Sequence, residues 1–536
     1  MPDGEHSAQG RGARRPVAGP PEHLLQGPRL LQGPRLGLGL GHGLGLSLLL
    51  GLGLSGPAPA QTPAKLDFQP CRVDGLGREA RCAWLARPLN PEARDSSKDA
   101  EIRIRIAVLP ARARLPKPDP VFFLAGGPGQ SAIELAALLE GRYGRLLNRR
   151  DLVLVDQRGT GQSAPLQCPS VPPTRPIADA VNQQKLRAEL EACLRAAQAL
   201  PYGDLSAFST TRAMQDLDAV RAALGAEQIN LIGGSYGTRA GLEYLRLYPN
   251  RVRRLVLDGL APPDLALPVS IGLDARAALL RHIDQCESDE RCQRAFPRLR
   301  TQWGQLVQQS SIRVQGRHPI TGAQEEFAMP AQAMWELGRM ALYAPEVASL
   351  LPLSISQASS GDWTPFLGML ALMGAHPRRP MAGAMHFSVI CSEDWPVLEG
   401  RVPGVGSPPI PEEARSAVLK STELYQIACR TWPRAEIDPG FYQIKPSPAP
   451  VVLLSGGADP VTPPRHAERV ARLLGDKAVH AVVPHAGHGV MGIPCVRDAL
   501  FDFINAETDE KALKARIDCA KDIPAPMSFV PLERPK

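Results

Sequence analysis

What this sequence lacks narrows the field before any motif is considered. It has no C-x-x-C pair, no H-E-x-x-H segment and no cluster of His with Asp, so nothing in it has metal-ligand spacing. It has no block of like charge: the net charge of +7 comes mostly from arginines scattered along the chain. Aromatic residues are only 5% of the whole, and no basic stripe is interleaved with them. A nucleic-acid partner is therefore not expected. Neither a metal nor any other cofactor is expected.

What is present suits a globular enzyme. Hydrophobic residues are 44% and charged residues 21% of 536, ordinary for a packed protein. The length exceeds one small domain and leaves room for a catalytic domain with a large insertion. The first sixty residues differ from the rest. Arg29 and Arg35 precede a run of Leu and Gly from Leu36 to Leu54, and Pro57-Ala58-Pro59-Ala60 supplies an A-x-A ending. Positive, apolar and small-residue regions in that order describe a secretory signal over residues 1–60. A membrane anchor is the competing reading of a run this long, but its glycines weaken a spanning helix. No stable membrane insertion is expected once the signal is removed. The hexapeptide Leu25–Leu30 recurs as Leu31–Leu36, and the long lead before Arg29 suggests a true start downstream of Met1.

All ten cysteines follow the expected cleavage site. An even number in an oxidising compartment allows five disulfides. Connectivity is not fixed by sequence. Pairing of sequential neighbours is the expectation: Cys71 with Cys82, Cys168 with Cys193, Cys286 with Cys292, Cys391 with Cys429, and Cys495 with Cys519. A periplasmic or secreted location follows.

Short apolar runs alternate with helical stretches over residues 61–265. Strands are expected over Ile102–Leu109, Pro120–Leu124, Asp151–Val155, Gln228–Ile232 and Arg254–Leu257, with a helix over Met214–Leu224. This alternation predicts an α/β fold with a mostly parallel sheet covered on both faces. From 266 to 440 the chain reads as helical and loop-rich with few strand signals, for example over Ala275–Gln285, Ala331–Leu342 and Glu412–Cys429. That is the layout of a lid inserted into the sheet. Strands return at Pro450–Leu454 and Val479–Val483, and residues 441–536 complete the core, with final helices over Cys495–Ile504 and Glu510–Cys519.

Gly233-Gly234-Ser235-Tyr236-Gly237 is the chemical centre of this pattern. It lies between the 228–232 strand and a helical stretch, so Ser235 falls on a sharp strand-to-helix turn that needs its flanking glycines. The late strands end in Asp459 and in Pro484-His485-Ala486-Gly487-His488-Gly489. Ligands in such sheets bind at the carboxyl ends of strands, and the order Ser, Asp, His is that of an α/β-hydrolase triad. Ser235 is the expected nucleophile. His488 is the expected general base, with glycines on both sides, and His485 is its competitor. Asp459 would orient the imidazole. The oxyanion needs two N–H donors, one from Tyr236 and one from Gly126 or Gly127. Asp156 and Arg158 read as a structural turn and ion pair.

Three loops carry a family resemblance: Gly126-Gly127-Pro128-Gly129, Asp156-Gln157-Arg158-Gly159-Thr160-Gly161 and Gly233-Gly234-Ser235-Tyr236-Gly237-Thr238. With Asp459 and Gly487-His488-Gly489 they resemble the prolyl and tripeptidyl aminopeptidase family of α/β-hydrolases. One position departs, because the family's oxyanion loop often begins with His and this chain has Ala125. The resemblance implies an α/β-hydrolase fold and release of short pieces from the free N-terminus of peptides through an acyl-enzyme. Such an enzyme must hold a substrate ammonium. Cys391-Ser392-Glu393-Asp394-Trp395 offers Glu393 and Asp394, and relatives carry similar acidic loops. A helix-capping or solvated pair is the alternative for these acids. A carboxylesterase or lipase using the same triad is the alternative for the enzyme. A dehalogenase or epoxide hydrolase is disfavoured, since those place a carboxylate where Ser235 stands. A binding protein on an inactive hydrolase scaffold is the non-enzymatic alternative.

Overall fold

The apolar runs do pair into one sheet. In a computed structural model that describes residues 66–91, 100–374, 381–406, 409–514 and 517–531, nine strands lie in the order β1-β2-β3-β5-β4-β6-β7-β10-β11. They are β1 Gln69–Cys71, β2 Ala80–Pro88, β3 Glu101–Leu109, β4 Val121–Leu124, β5 Leu152–Val155, β6 Ile229–Gly234, β7 Val252–Asp258, β10 Val451–Gly456 and β11 Ala478–Val483. The expected signal over residues 1–60 lies outside the described residues. Strands β5 through β11 of this sheet run parallel, and β1, β2 and β3 add to it antiparallel.

Burial explains the difference between these two parts. Strands β4, β5 and β10 are buried along their whole length, as parallel strands covered on both faces must be. Phe122, Val153, Leu231, Leu255 and Leu453 pack into one layer, and Val121, Leu152, Ile232, Val256 and Leu454 into the other. Strand β3 instead alternates, with Ile102, Ile104 and Ile106 inward. On its open face Arg103 and Arg105 lie over the Trp84 ring of β2. That polar face is why β1 and β2 gave no strand signal in the sequence.

The chain leaves β4 to one side to form β5 and returns on the other side to form β6. A crevice therefore opens at the carboxyl ends of β4 and β6, where Gly126 and Ser235 follow their strands.

Between β7 and β10 the chain builds the inserted region. It contains the helices Leu267–Ser288, Ala331–Ala341, Gly383–Val389 and Glu412–Thr431. It also contains a hairpin that the helical reading missed, β8 Ser311–Arg317 paired antiparallel with β9 Gln324–Pro330. Within its two strands only Val314, Phe327 and Met329 are buried, too few to give a clear alternating signal. They join Leu279, Ile283, Trp303 and Met334 in a hydrophobic cluster formed mostly by this region, with Ile177 added from before β6. A second correction falls near the C-terminus. In place of one helix over Glu510–Cys519 there is a short helix Asp509–Leu513 and a separate 3₁₀ turn Asp518–Asp522.

The five expected disulfides are all formed, and no cysteine is free. Among the described residues, no helix is long and apolar enough to cross a membrane.

Candidate active site

Ser235 sits between β6 and the helix Tyr236–Leu247 with φ +55° and ψ −124°. A non-glycine residue in that region costs on the order of 1–3 kcal/mol and persists only where the surroundings enforce it. Two glycines let the backbone do so. A Cβ on Gly233 would lie 2.4 Å from the Gly237 carbonyl oxygen, and one on Gly237 would lie 2.1 Å from that of Leu124. The helix thus starts hard against the end of β4. The Ser235 N–H donates to the Asp258 carbonyl at the end of β7 (2.8 Å), and the Thr238 N–H donates to the Ser235 carbonyl (2.8 Å).

The loop after β4 faces the same point. A Cβ on Gly126 would lie 3.2 Å from Ser235 Cβ, so bare backbone borders the serine there. Gly127 has φ +111°, a conformation that side chains resist. Tyr236 begins the helix, and its buried hydroxyl lies 2.7 Å from Thr210 Oγ1. Burial raises the Tyr236 phenol far above its ordinary value, so it stays neutral.

Asp459 follows β10 and is fully buried. Its Oδ1 accepts the N–H groups of Val461 and Thr462, each at 2.8 Å. Its Oδ2 accepts the Thr462 hydroxyl at 2.8 Å and lies 2.8 Å from His488 Nδ1. Burial alone would raise the Asp459 carboxyl, but the facing imidazole and these donors hold it below its usual value. Burial likewise opposes the charge on His488, yet the Asp459 carboxylate prevails and raises the imidazole above its ordinary value. His485 is exposed and has no part in this arrangement.

Asp258 and Gly259 join the two halves. Gly259, at φ +67°, lies under the imidazole, where a Cβ would be 3.0 Å from His488 Cε1. The Asp258 carboxylate accepts the N–H groups of Val490 (2.9 Å) and Met491 (2.9 Å), just beyond His488. One residue thus holds the Ser235 amide with its carbonyl and the His488 loop with its side chain. Among the described residues, none is hydrogen-bonded to Ser235 Oγ. With Nδ1 engaged by Asp459, Nε2 is the imidazole atom left to exchange a proton with a hydroxyl.

Sequence reasoning gave no role to Thr462 or to the Asp258 side chain. Thr462 had a signal, since it closes the turn that Asp459 opens. Asp258 had only its place at the end of a strand.

Glu393 and Asp394 lie on a π-helical turn, Ile390–Asp394, and both are completely buried. Asp394 is tied to Arg239 through both its oxygens. Its Oδ2 takes Arg239 Nη1 (2.7 Å), and its Oδ1 takes Arg239 Nη2 (2.8 Å) and the Leu267 N–H (2.9 Å). Glu393 is held less tightly by that arginine. Its oxygens accept the Thr210 N–H (2.7 Å) and hydroxyl (2.9 Å), and Arg239 Nη1 is 3.4 Å away. Burial pushes the Glu393 carboxyl up to about 7, against the opposing pull of Arg239 and Thr210. Full burial removes the solvated half of the alternative for these acids, but its helix-capping half holds: Thr210 and Leu267, whose N–H groups they accept, open the helices Thr210–Ala223 and Leu267–Ser288.

Asp156 and Arg158 are structural, but not as partners of each other. Asp156 accepts the Ser131 hydroxyl (2.6 Å) and the N–H groups of Ile133 (3.2 Å) and Gln162 (3.1 Å). Arg158 forms a bidentate pair with Asp216, at 2.7 and 3.0 Å.

With this geometry in view, the α/β-hydrolase fold family matches residues 119–284, and the TAP-like protein family matches residues 416–512. The chain has the α/β-hydrolase fold, with a TAP-like C-terminal segment. The first match contains Gly126, Gly127, Ser235 and Tyr236, and the second contains Asp459 and His488. Glu393 and Asp394 fall between the two. Over 219 residues this α/β-hydrolase is 31% identical to a tripeptidyl aminopeptidase of Streptomyces lividans, covering 37% of this chain and 39% of the relative. Over 222 residues it is 32% identical to the serine protease Hip1 of Mycobacterium tuberculosis, covering 37% of this chain and 40% of that protein. A proline iminopeptidase of Aeromonas sobria is 31% identical over 144 residues, covering 27% of this chain and 28% of its own length. The chain thus matches less than half the length of these relatives.

Proposed function

We propose that this protein is an exported serine aminopeptidase that removes short pieces, a prolyl residue or a di- or tripeptide, from the free N-terminus of peptides. The observation that carries the reading is that Asp258 and Gly259 border both sides of the site: the Asp258 carbonyl holds the strained Ser235 amide, and Gly259 lies against the imidazole of His488, which pairs with Asp459. In this reading Ser235 Oγ attacks the scissile carbonyl while His488 Nε2 takes its proton. Asp459 holds the ring through Nδ1 and balances the imidazolium. The tetrahedral oxyanion is received by the N–H of Tyr236 and that of Gly126 or Gly127. Collapse of this intermediate breaks the peptide bond, His488 returns the proton to the leaving amine, and water releases the acyl group by the same path in reverse.

Glu393 is the carboxylate assigned to the substrate ammonium. Its looser tie to Arg239 favours it over Asp394, and its complete burial means that side chains over it must move before a substrate arrives. Its carboxyl ionises near 7. KM for peptides with a free N-terminus should therefore fall as pH rises through that value, and KM for acetylated peptides should not. Export is supported by five disulfides with no free thiol.

Mass spectrometry of products from a mixed set of proline-containing peptides tests the reading. The expected result is loss of short N-terminal pieces from free peptides and little from acetylated ones, with the difference erased in Glu393→Gln. Equal cleavage of both peptide sets contradicts the aminopeptidase. Turnover of short-chain esters alone would assign an esterase instead.

A further inference from the structure

The inserted region does more than roof the site: part of its backbone is packed against the histidine loop. A Cβ on Gly487 would lie 2.5 Å from the Tyr343 carbonyl oxygen and 2.6 Å from that of Leu342. Only glycine allows so close an approach. The next residue, His488, donates its backbone N–H to the Tyr343 carbonyl (3.2 Å). The Tyr343 ring meets the imidazole edge-on, with centroids 5.1 Å apart at 69°, a favoured aromatic geometry. Tyr343 is itself braced. Arg339 Nη1 donates to its hydroxyl (2.8 Å), the Arg339 guanidinium lies 5.3 Å from its ring centroid, and Glu336 pairs with Arg339. All three residues belong to the helix Ala331–Ala341 or the turn that ends it.

Asp459 and Thr462 fix only the Nδ1 edge of the imidazole. A ring held at one edge still pivots, and general-base catalysis is sensitive to displacements of about 1 Å. We propose that Tyr343, carried by the inserted lid, is a positioning residue that sets the orientation of His488. This rests on the reading of His488 as the general base. The oxyanion loop is gripped from the same region: the Ala382 N–H donates to the Gly129 carbonyl (2.9 Å), and His386 Nδ1 lies 3.3 Å from the Pro128 carbonyl oxygen. Seating of the lid thereby becomes a condition for catalysis as well as for substrate selection.

A lid that only selects substrate affects peptides; a lid that positions the base affects every acyl substrate. Tyr343→Ala and Tyr343→Phe should therefore be compared with wild type on a peptide anilide and on p-nitrophenyl acetate, a probe too small to need lid subsites. The expected result for Tyr343→Ala is a fall in kcat of about 10²-fold on both substrates, with a smaller change in KM. Tyr343→Phe, which keeps the ring and the carbonyl, should retain most of the rate. If Tyr343→Ala fails to fold by circular dichroism, Tyr343→Leu takes its place. Two results overturn the proposal: a change confined to KM for the peptide, or a Phe variant as slow as Ala. A wild type inactive on both substrates would instead count against the proposed function, so the two failures are distinguishable.

Discussion

The sheet core and the inserted region are each closed by their own disulfides, and the candidate site lies where they meet. In the core, nine strands place side chains by register, and Ser235, Asp459 and His488 each follow a strand end. The inserted residues 266–440 carry a largely separate apolar cluster, and their Ala382, Met385, Val389, Cys391, Ala428 and Trp432 also pack into the cluster of the sheet. Two disulfides lie within the lid, Cys286–Cys292 and Cys391–Cys429, and the other three lie within the core. None crosses between them. The two are joined through shared apolar packing and through buried polar groups: Arg239 with Asp394, His466 with Asp274, and the Tyr343 carbonyl with His488. Covalent links thus stabilise each region separately and leave their mutual seating to contacts that can be remade.

The sharpest break in this comparison comes from the core. Asp459→Asn should leave the fold intact and lower kcat by about 10⁴-fold, because the ring loses its tautomer control. Matched activity assays and thermal melts check both halves of that statement. Next comes the link between the regions. Arg239→Met leaves Asp394 and Glu393 buried without their cation, which should cost about 3–5 kcal/mol in the thermal unfolding of the protein. The surface pair of Arg313 with Glu326 on the lid hairpin provides the contrast. Glu326→Gln should leave the melting temperature unchanged. If the two substitutions had equal effects, seating by buried ion pairs would be wrong.

The lid's own cohesion is tested by its disulfides. Replacing Cys391 and Cys429 by Ser opens a separation of 38 residues and should cost about 4 kcal/mol by loop entropy. The same change at Cys286 and Cys292, separated by 6 residues, should cost about 2 kcal/mol.

The smallest effect concerns Asp258, whose carboxyl burial pushes up to about 6. Above that pH it is anionic and favours the charged imidazole of His488, alongside Asp459 and against Arg339. Asp258→Asn removes this negative charge and so lowers the imidazole pKa. The acid limb of kcat/KM should move to lower pH. An unmoved limb would leave Asp258 a purely structural group.

The same division explains what could be read in the sequence. Fully buried parallel strands announce themselves as apolar runs, so β4, β5, β6 and β10 and the loops that end them were legible, and with them Ser235, Asp459 and His488. Strand β2 was not, because Trp84 on its open face is only partly buried and relies on Arg103 and Arg105 of β3 for cover. Nor was the β8–β9 hairpin, which buries few residues. The acids Glu393 and Asp394 stood out beside Cys391, but their partner Arg239 lies 155 residues before Asp394. Only tertiary packing brings them together. Tyr343 carries no local signal at all, since its role comes from the bare backbone of Gly487 in a distant loop.

The central claim is that an activated serine stands at position 235. Labelling with a fluorophosphonate probe, followed by mass spectrometry of the digested protein, measures this directly. The account predicts one adduct, on the peptide containing Ser235, absent from Ser235→Ala and formed far more slowly in His488→Ala. No adduct on the folded wild-type protein, or an adduct on another residue with activity surviving in Ser235→Ala, would contradict it.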